Sequence, residues 1–332
     1  MKQISLKALA VITASALALT ACSSSESSSD SAAGKSEGAA GESYSIGINQ
    51  LVQHPALDAA AEGFKEAFEQ AGVDVEWDEQ NANGEQGTAV QIAQQMAGQK
   101  HDLMLAIATP AGQAMAQVIK DTPLLFTAVT DPVAAQLVAS NEKPGGNITG
   151  TSDIAPIDKQ VELLQKLVPG VQSIGVVYAS GEVNSQVQVD ELKKVAKPLG
   201  IEVKAQTVTS VTEIPQAVAA LGDVDSIYVP TDNMVVSGIA SLVKVANEKK
   251  IPVIGAESGT VEGGAVATLG IDYKALGHQT GEMALKILQE GADPATLPVE
   301  TADSFTYVVN EEAAKAQGVE IPAEILEQAE TV

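Results

Sequence analysis

The sequence contains no arginine, and all 19 of its basic residues are lysine. A bound carboxylate must therefore be held by backbone N–H groups, hydroxyls, amides or lysine, because the two-pronged guanidinium group is unavailable. The 43 acidic residues give a formal net charge of −24. Since no basic face is available to neutralise phosphates, the composition disfavours nucleic-acid binding.

The sequence also lacks the motifs of common enzymes. It has no G-x-S-x-G turn, no G-x-x-x-x-G-K-[ST] loop and no H-E-x-x-H helix motif. The three histidines, His54, His101 and His278, are far apart and show no metal-ligand spacing. We therefore expect no catalytic activity, no cofactor and no metal site. A hydrolase on an α/β scaffold would need a catalytic nucleophile paired with a general base, and the sequence shows no such pair.

The one cysteine, Cys22, follows Lys2, Lys7 and an apolar run of signal-peptide length. We predict that residues 1–21 are a signal peptide, and no later segment reaches the length of an apolar membrane span. The end of this run, LTAC, resembles the lipobox of bacterial lipoproteins. That resemblance implies that Cys22 is lipidated and anchors the protein to the outer face of the bacterial cell membrane. Residues 22–43 are rich in serine, glycine and alanine, which predicts a flexible tether.

From residue 44 onward, β-branched runs alternate with amphipathic stretches, a pattern typical of βαβ units with a parallel sheet. The order of runs in the first half recurs in the second half. Two short segments recur in similar form: SIG at 45–47 recurs at 173–175, and GVDV at 72–75 recurs as GIEV at 200–203. Both recurrences are offset by 128 residues. A shared displacement is what an internal duplication produces. We predict an α/β protein with two Rossmann-like lobes, parallel sheets and a ligand cleft between them.

Ligands of open α/β sheets bind beyond the carboxyl ends of the strands, and polar residues follow several predicted strands. In the first half these candidates are Asn49, Gln50, His54, Thr109, Thr130 and Asp131. In the second half they are Tyr178, Asn184, Ser185, Asp232, Asn233, Glu257 and Asp272. Each type also has an ordinary structural explanation. Threonine, asparagine and aspartate cap helices, a histidine near a turn is often exposed, and a tyrosine at a strand end often packs at the rim.

Four segments carry a family resemblance: FTAVTDPVAAQLV, NITGTSD, VPTDNMV and GIDYKALG. Together with the lipobox, they resemble the tryptophan- and tyrosine-type solute-binding lipoproteins of ABC importers, over about residues 44–326. The resemblance implies a type I periplasmic-binding-protein fold and delivery of a solute to a permease that a separate ATPase powers. Three crossings between lobes are typical of this fold. They imply a first lobe at 44–154 plus 273–297 and a second lobe at 155–272 plus 303–329.

The ligand loops of this family match every strand-end candidate named above except His54. An amino acid would fit this set, with its carboxylate on hydroxyls and helix amides and its ammonium on Asp272 or Glu257. Its side chain would lie against Val52 and Met234. Aromatic residues make up 3% of the sequence, so few stacking platforms are available and the identity of the solute stays open. We expect a monomer, and the alternative on the same fold is a ligand-sensing receptor lipoprotein that signals to a partner.

Overall fold

The computed structural model describes residues 43–302 and 304–332. The predicted signal peptide, Cys22 and the tether up to residue 42 lie outside the described residues. Within the described part of the chain, no helix is both long enough and apolar enough to cross a membrane.

The first half of the chain forms a parallel sheet. Its elements are β1 (Tyr44–Gln50), α1 (Pro55–Ala71), β2 (Val75–Asn81), α2 (Gln86–Ala97), β3 (Leu103–Ile107), α3 (Thr109–Val118), β4 (Leu124–Thr127) and β5 (Ile148–Ser152). The strand order is β2-β1-β3-β4-β5, and all of these pairs are parallel. Every residue of β3 is buried, as expected for a strand that helices cover on both faces.

The second half begins with α4 (Ile157–Leu167), β6 (Ser173–Ala179), α5 (Val183–Ala196), β7 (Glu202–Val208), α6 (Ile214–Ala220), β8 (Ser226–Val229), α7 (Asn233–Ser237), α8 (Ile239–Lys249), β9 (Val253–Gly255), α9 (Ser258–Glu262) and β10 (Ala267–Gly270). Two short 3₁₀ helices, Lys197–Leu199 and Val211–Glu213, lie between these elements. The strand order β7-β6-β8-β9-β10 repeats that of the first sheet. The short segments that recur in the sequence therefore correspond to a repeated strand order.

The remaining elements are α10 (Tyr273–Glu290), β11 (Glu300–Thr301), β12 (Thr306–Val309), α11 (Glu311–Gln317), α12 (Ala323–Leu326) and β13 (Ala329–Thr331). Strand β11 pairs with β5 at the edge of the first sheet. Strands β12 and β13 extend the second sheet, where β12 is antiparallel to β10. Separate apolar cores form around the two sheets, as two lobes require.

Helix α10 returns to the first sheet and packs closely along α1. A Cβ atom on Gly277 would lie 2.0 Å from the Ala60 carbonyl oxygen, and one on Gly63 would lie 1.9 Å from the Lys274 carbonyl oxygen. Only glycine permits backbones to approach this closely. The two glycines therefore fix the distance between these helices.

Three connections run between the two sheets: residues 153–156 after β5, residues 271–272 after β10, and the connection from β11 to β12, of which residues 302, 304 and 305 are described. The predicted end of the first lobe at residue 297 falls before β11, although β11 belongs to the first sheet. The lobe boundaries themselves stay a prediction. The architecture of two parallel α/β lobes is the one that the sequence predicts.

Candidate ligand-binding site

The carboxyl ends of the strands in the two sheets enclose a small cavity of about 10 Å³. Its polar wall includes His54, Asp153, Asp232, Asn233, Glu257 and Tyr273. Each of these residues follows a strand, which is where open α/β sheets place their ligands. The cavity is therefore the first candidate for a binding site.

Helix starts position several of these side chains. His54 precedes α1, whose first residue is a proline with a backbone suited to that position. Asp232 precedes α7 and accepts a hydrogen bond from the Val235 N–H at 2.8 Å. Glu257 precedes α9 and accepts one from the Gly259 N–H through Oε2 at 2.7 Å. Capping thus fixes one oxygen of each carboxylate and leaves the other oxygen for a different partner.

Asp153 and Glu257 are buried carboxylates that each have an oxygen without a partner. Asp153 is 3% exposed, and its Oδ2 accepts a hydrogen bond from the Tyr273 hydroxyl at 2.7 Å. Glu257 is 2% exposed. Asp153 Oδ1 and Glu257 Oε1 have no hydrogen-bond partner. Burial raises the pKa of Asp153 and raises that of Glu257 to about 7, to which the nearby charge of Asp153 also contributes.

No positive side chain balances these carboxylates. The chain has no arginine, and no lysine of the described part is buried. Burial also lowers the pKa of His54, so its imidazole is neutral at neutral pH. The His54 Nε2 atom lies 3.5 Å from Asn233 Oδ1, and its Nδ1 atom has no partner. The cavity therefore presents negative and neutral groups only.

A second acidic pair lies beside the cavity, in the turns after β6 and β8. Glu182 accepts hydrogen bonds from the Asn233 and Met234 N–H groups at 3.1 and 3.0 Å. Burial and the charge of Asp232 raise the pKa of Glu182 to about 8. Asp232 accepts from Ser185 Oγ at 2.6 Å, and burial raises its pKa as well. This pair holds the start of α7 in place behind the cavity.

Direct contacts connect the loops of the two sheets around the cavity. The hydroxyls of Thr130 and Thr231 lie 3.0 Å apart and are buried. The Gln86 amide at the start of α2 donates to the Gly181 carbonyl at 2.9 Å. These bonds join residues of different sheets across the cleft.

Backbone strain accompanies the site in the first sheet. Ala108 after β3 has a φ of 81°, and Ala128 after β4 has a φ of 55°. Non-glycine residues rarely adopt positive φ, and such residues cluster at ligand sites. Ala128 lines the cavity, while Ala108 precedes Thr109, a buried residue whose hydroxyl has no partner.

A wider pocket of about 300 Å³ lies at the mouth of the cleft, between the start of α2 and the turn after β6. Leu51, Pro110 and Met234 give it apolar walls, while Gln86 and Glu182 add polar groups. It is large enough for part of a small organic ligand. Val52, the other apolar residue predicted to contact the ligand, does not line this pocket.

Five of the predicted ligand residues lie at or beside the enclosed cavity: His54, Thr130, Asp232, Asn233 and Glu257. Five others hydrogen-bond within their own lobe: Asn49 to Ala89, Gln50 to Asp58, Tyr178 to Gln186, Asn184 to Thr231, and Ser185 to Asp232. Asn184 and Ser185 thereby support two residues of the cavity rim from behind. Thr109 keeps its unpartnered hydroxyl, so it stays available to a ligand.

Two predicted carboxylates are used elsewhere in the structure. Asp131 Oδ1 accepts from the Val133 and Ala134 N–H groups. Asp272 is exposed, and its Oδ1 accepts from two N–H groups in the first turn of α10. Helix and turn capping accounts for both side chains. Of the two carboxylates predicted to bind an ammonium, Glu257 is the one in the cavity.

Asp153, Tyr273 and Glu182 line or support the cavity but are not among the residues predicted from the sequence. Asp153 ends the segment NITGTSD, and Tyr273 lies within GIDYKALG, so both occur in segments that carry the family resemblance. The same rule that selected the other candidates, a polar residue directly after a strand, also describes Asp153. Glu182 gave no such signal, because its role depends on the turn after β8.

Two similar lobes around an enclosed polar cavity define a solute-binding protein of the type I periplasmic-binding-protein fold. The sequence model of the ABC transporter substrate-binding protein family matches residues 45–332. A tyrosine-binding protein of Clostridioides difficile (strain R20291) is 46% identical over 276 residues, which is 82% of this chain and 80% of that relative. The chain belongs to the substrate-binding proteins of ABC transporters, a family of solute-binding proteins rather than enzymes.

Two solved structures of this family differ in how well they match. An ABC domain from Streptococcus pneumoniae in complex with L-Trp is 37% identical, has a TM-score of 0.84, and covers 88% of this chain and 100% of its own. A ligand-free, open substrate-binding protein with adhesive properties from Clostridium difficile is 47% identical but has a TM-score of 0.68, with coverages of 87% and 99%. The less identical sequence thus gives the closer overall shape.

Proposed function

We propose that this protein captures an aromatic L-amino acid in the cleft between its lobes. The observation that carries the proposal is the pair of buried carboxylates, Asp153 and Glu257, each with an oxygen that lacks a partner. Buried charges need a counter-charge, and the protein supplies none near them. A ligand ammonium would satisfy both oxygens. The tyrosine-binding relative and the tryptophan complex favour an aromatic amino acid among ligands with an ammonium group.

In this proposal the two ends of the amino acid contact different groups of the protein. The ammonium lies between Asp153, at the first crossing between the lobes, and Glu257 of the second lobe. The carboxylate accepts hydrogen bonds from neutral donors of the first lobe, such as the Thr109 hydroxyl and the free N–H groups at the start of the ten-residue helix α3. The aromatic side chain extends toward the wider pocket at Leu51, Pro110 and Met234. The remaining predicted ligand residues support these contacts from neighbouring turns.

We further propose that the cleft closes on its ligand by a hinge motion of the two lobes about the three connecting segments. In this view the lobes have the predicted ranges, 44–154 plus 273–297 and 155–272 plus 303–329. The closer match to the tryptophan complex than to the open structure supports a closed conformation, because identity alone would favour the opposite ranking. Contacts made only in the closed form, such as Thr130 with Thr231, would shift the population.

The cellular role in this proposal is uptake. Lipidation of Cys22 anchors the protein outside the cytoplasm, residues 22–43 serve as a tether, and the closed protein delivers its ligand as a monomer to a permease with a separate ATPase. These steps rest on the lipobox-like sequence and on the family. Deletion of the gene should reduce uptake of a labelled aromatic amino acid. Unchanged uptake with an altered transcriptional response would favour the receptor alternative.

Isothermal titration calorimetry of the mature chain, with Cys22→Ser to prevent lipid attachment, tests the ligand class. We expect L-tyrosine, L-tryptophan or L-phenylalanine to bind, and L-leucine and L-glutamate to bind far more weakly. At one hundred times its dissociation constant, a ligand should add about 2.7 kcal/mol to the free energy of unfolding, which a thermal melt would detect independently. Binding of a sugar or nucleoside instead would contradict the proposal.

A further inference from the structure

Resting on the proposed function, we infer that the cleft recognises its ligand mainly by the ammonium group. It should therefore also bind primary aromatic amines that have no carboxylate. Tyramine and tryptamine, the amines that correspond to tyrosine and tryptophan, represent this class. Aromatic acids that keep the carboxylate but lack the amine should bind poorly.

The charges around the cavity carry this inference. Asp153 and Glu257 approach it from the turns after β5 and β9, and both are at least 97% buried. Each offers one oxygen without a hydrogen-bond partner. If a ligand lacks a cation, these two groups must either stay buried without a counter-charge or bind a proton when the cleft closes, and both alternatives cost free energy. An ammonium removes this penalty at both positions.

The ligand carboxylate would have no comparable partner. The chain contains no arginine, and no described lysine is buried. His54 is neutral because it is buried, and the Thr109 hydroxyl is an uncharged donor. A carboxylate that accepts from neutral donors still forms charge-assisted hydrogen bonds, but it gains no attraction to a full opposite charge, whereas the ammonium lies between two carboxylates. The acidic wall also repels a carboxylate. Removing the carboxylate from the ligand should therefore reduce affinity less than removing the amine.

Calorimetry with L-tryptophan, tryptamine and indole-3-propionate tests this directly on the mature Cys22→Ser chain. We expect tryptamine to bind within about tenfold of L-tryptophan, and indole-3-propionate to bind about a hundredfold more weakly or not at all. L-tryptophan binding without tryptamine binding would overturn the inference and leave the proposed function intact. Tryptamine binding without L-tryptophan binding would support the inference and overturn the proposed ligand. If none of L-tryptophan, tryptamine, L-tyrosine and tyramine binds, both the inference and the proposed function are overturned.

A variant comparison assigns the preference to the cavity. Glu257→Gln should weaken the binding of tryptamine by about tenfold or more and reduce the discrimination against indole-3-propionate. Glu262→Gln is the matched control, because Glu262 is an exposed carboxylate on the same short helix. It should leave the discrimination unchanged. Thermal melts verify that Glu257→Gln and Glu262→Gln are folded. If Glu257→Gln does not fold, Asp153→Asn provides a second test. Equal discrimination in the wild type and in both cavity variants would contradict the inference.

Discussion

The two lobes share a strand order, but their edges at the cleft differ in charge. The edge of the first sheet contributes uncharged polar groups, namely His54, Thr109 and Thr130. The edge of the second sheet contributes three buried carboxylates, namely Glu182, Asp232 and Glu257. Asp153, on the first crossing between the sheets, adds a fourth. The two lobes thus share a framework but differ in the chemistry of their turns.

This difference explains how one ligand could engage both lobes. Turn residues can change without disturbing the apolar cores, so two copies of one fold can acquire complementary sites. An amino acid offers a cation to the acidic edge and an anion to the neutral edge. In the proposed function, a ligand that contacts both edges at once would drive closure.

The largest expected effect concerns how tightly each lobe is packed. We predict that Gly277→Ala in the first lobe lowers the free energy of unfolding by about 3 kcal/mol or more, because its Cβ would meet backbone at 2.0 Å. Gly175→Ala in the second lobe should lower it by about 1 kcal/mol, since its Cβ would meet the movable Leu221 side chain at 2.7 Å. Urea denaturation measures both. Equal losses would show that the two lobes tolerate crowding alike.

The next effect separates the cavity carboxylate from the exposed one. Asp153→Asn should weaken the binding of an aromatic amino acid by about 2–3 kcal/mol, because a charged hydrogen bond to the ammonium is lost. The sequence alone predicts Asp272 or Glu257 as the ammonium partner, and the Asp272 carboxylate caps α10 at the surface. Calorimetry of Asp272→Asn tests that expectation. A loss of affinity in Asp272→Asn, with none in Asp153→Asn, would identify Asp272 as the ammonium partner.

The acidic edge should make the unliganded protein sensitive to pH. The pKa of Glu182 is raised from 4.5 to about 8, so the folded state keeps a proton that the unfolded state releases. The stabilisation is fully present below pH 4.5 and is lost as pH rises through about 8, by up to about 1.4 kcal/mol per pH unit. Glu182→Gln should flatten this slope between pH 5 and 8. Urea denaturation at three pH values would detect it, and identical slopes would contradict the assignment.

The smallest effect concerns a single contact between the lobes. Thr130→Val removes the hydrogen bond to Thr231, so it should weaken ligand binding by about 1 kcal/mol and change the stability of the open form little. Thr151→Val is the matched control, because Thr151 bonds Thr280 at 2.8 Å within one lobe. The control should lower thermal stability without changing affinity. The reverse pattern would mean that the Thr130 contact is not specific to closure.

The sequence predicts the framework better than the site, for a physical reason. Strands such as β3 and helices such as α1 leave periodic apolar patterns, and the recurring short segments predict the repeated strand order. A carboxylate in a turn leaves no such pattern. Glu257 and Asp272 both precede a helix, and only the packing of neighbouring turns decides that one faces the cavity and the other faces solvent. Asp153 directly follows a strand, as the selected candidates do, but no sequence pattern shows that its carboxylate is buried with an oxygen that lacks a partner.

Proton release on binding is the sharpest test of ammonium recognition by the buried carboxylates. Burial raises the pKa of Glu257 to about 7 in this structure, so Glu257 is partly protonated at neutral pH as long as it stays buried without a cation, and an ammonium beside it would favour the ionised form. Calorimetry of L-tyrosine or L-tryptophan at pH 7, in buffers of different ionisation enthalpy, gives the number of protons exchanged. We predict net release by the wild type and a smaller release by Glu257→Gln. Binding with no proton exchange in either protein would contradict recognition of an ammonium by these buried carboxylates.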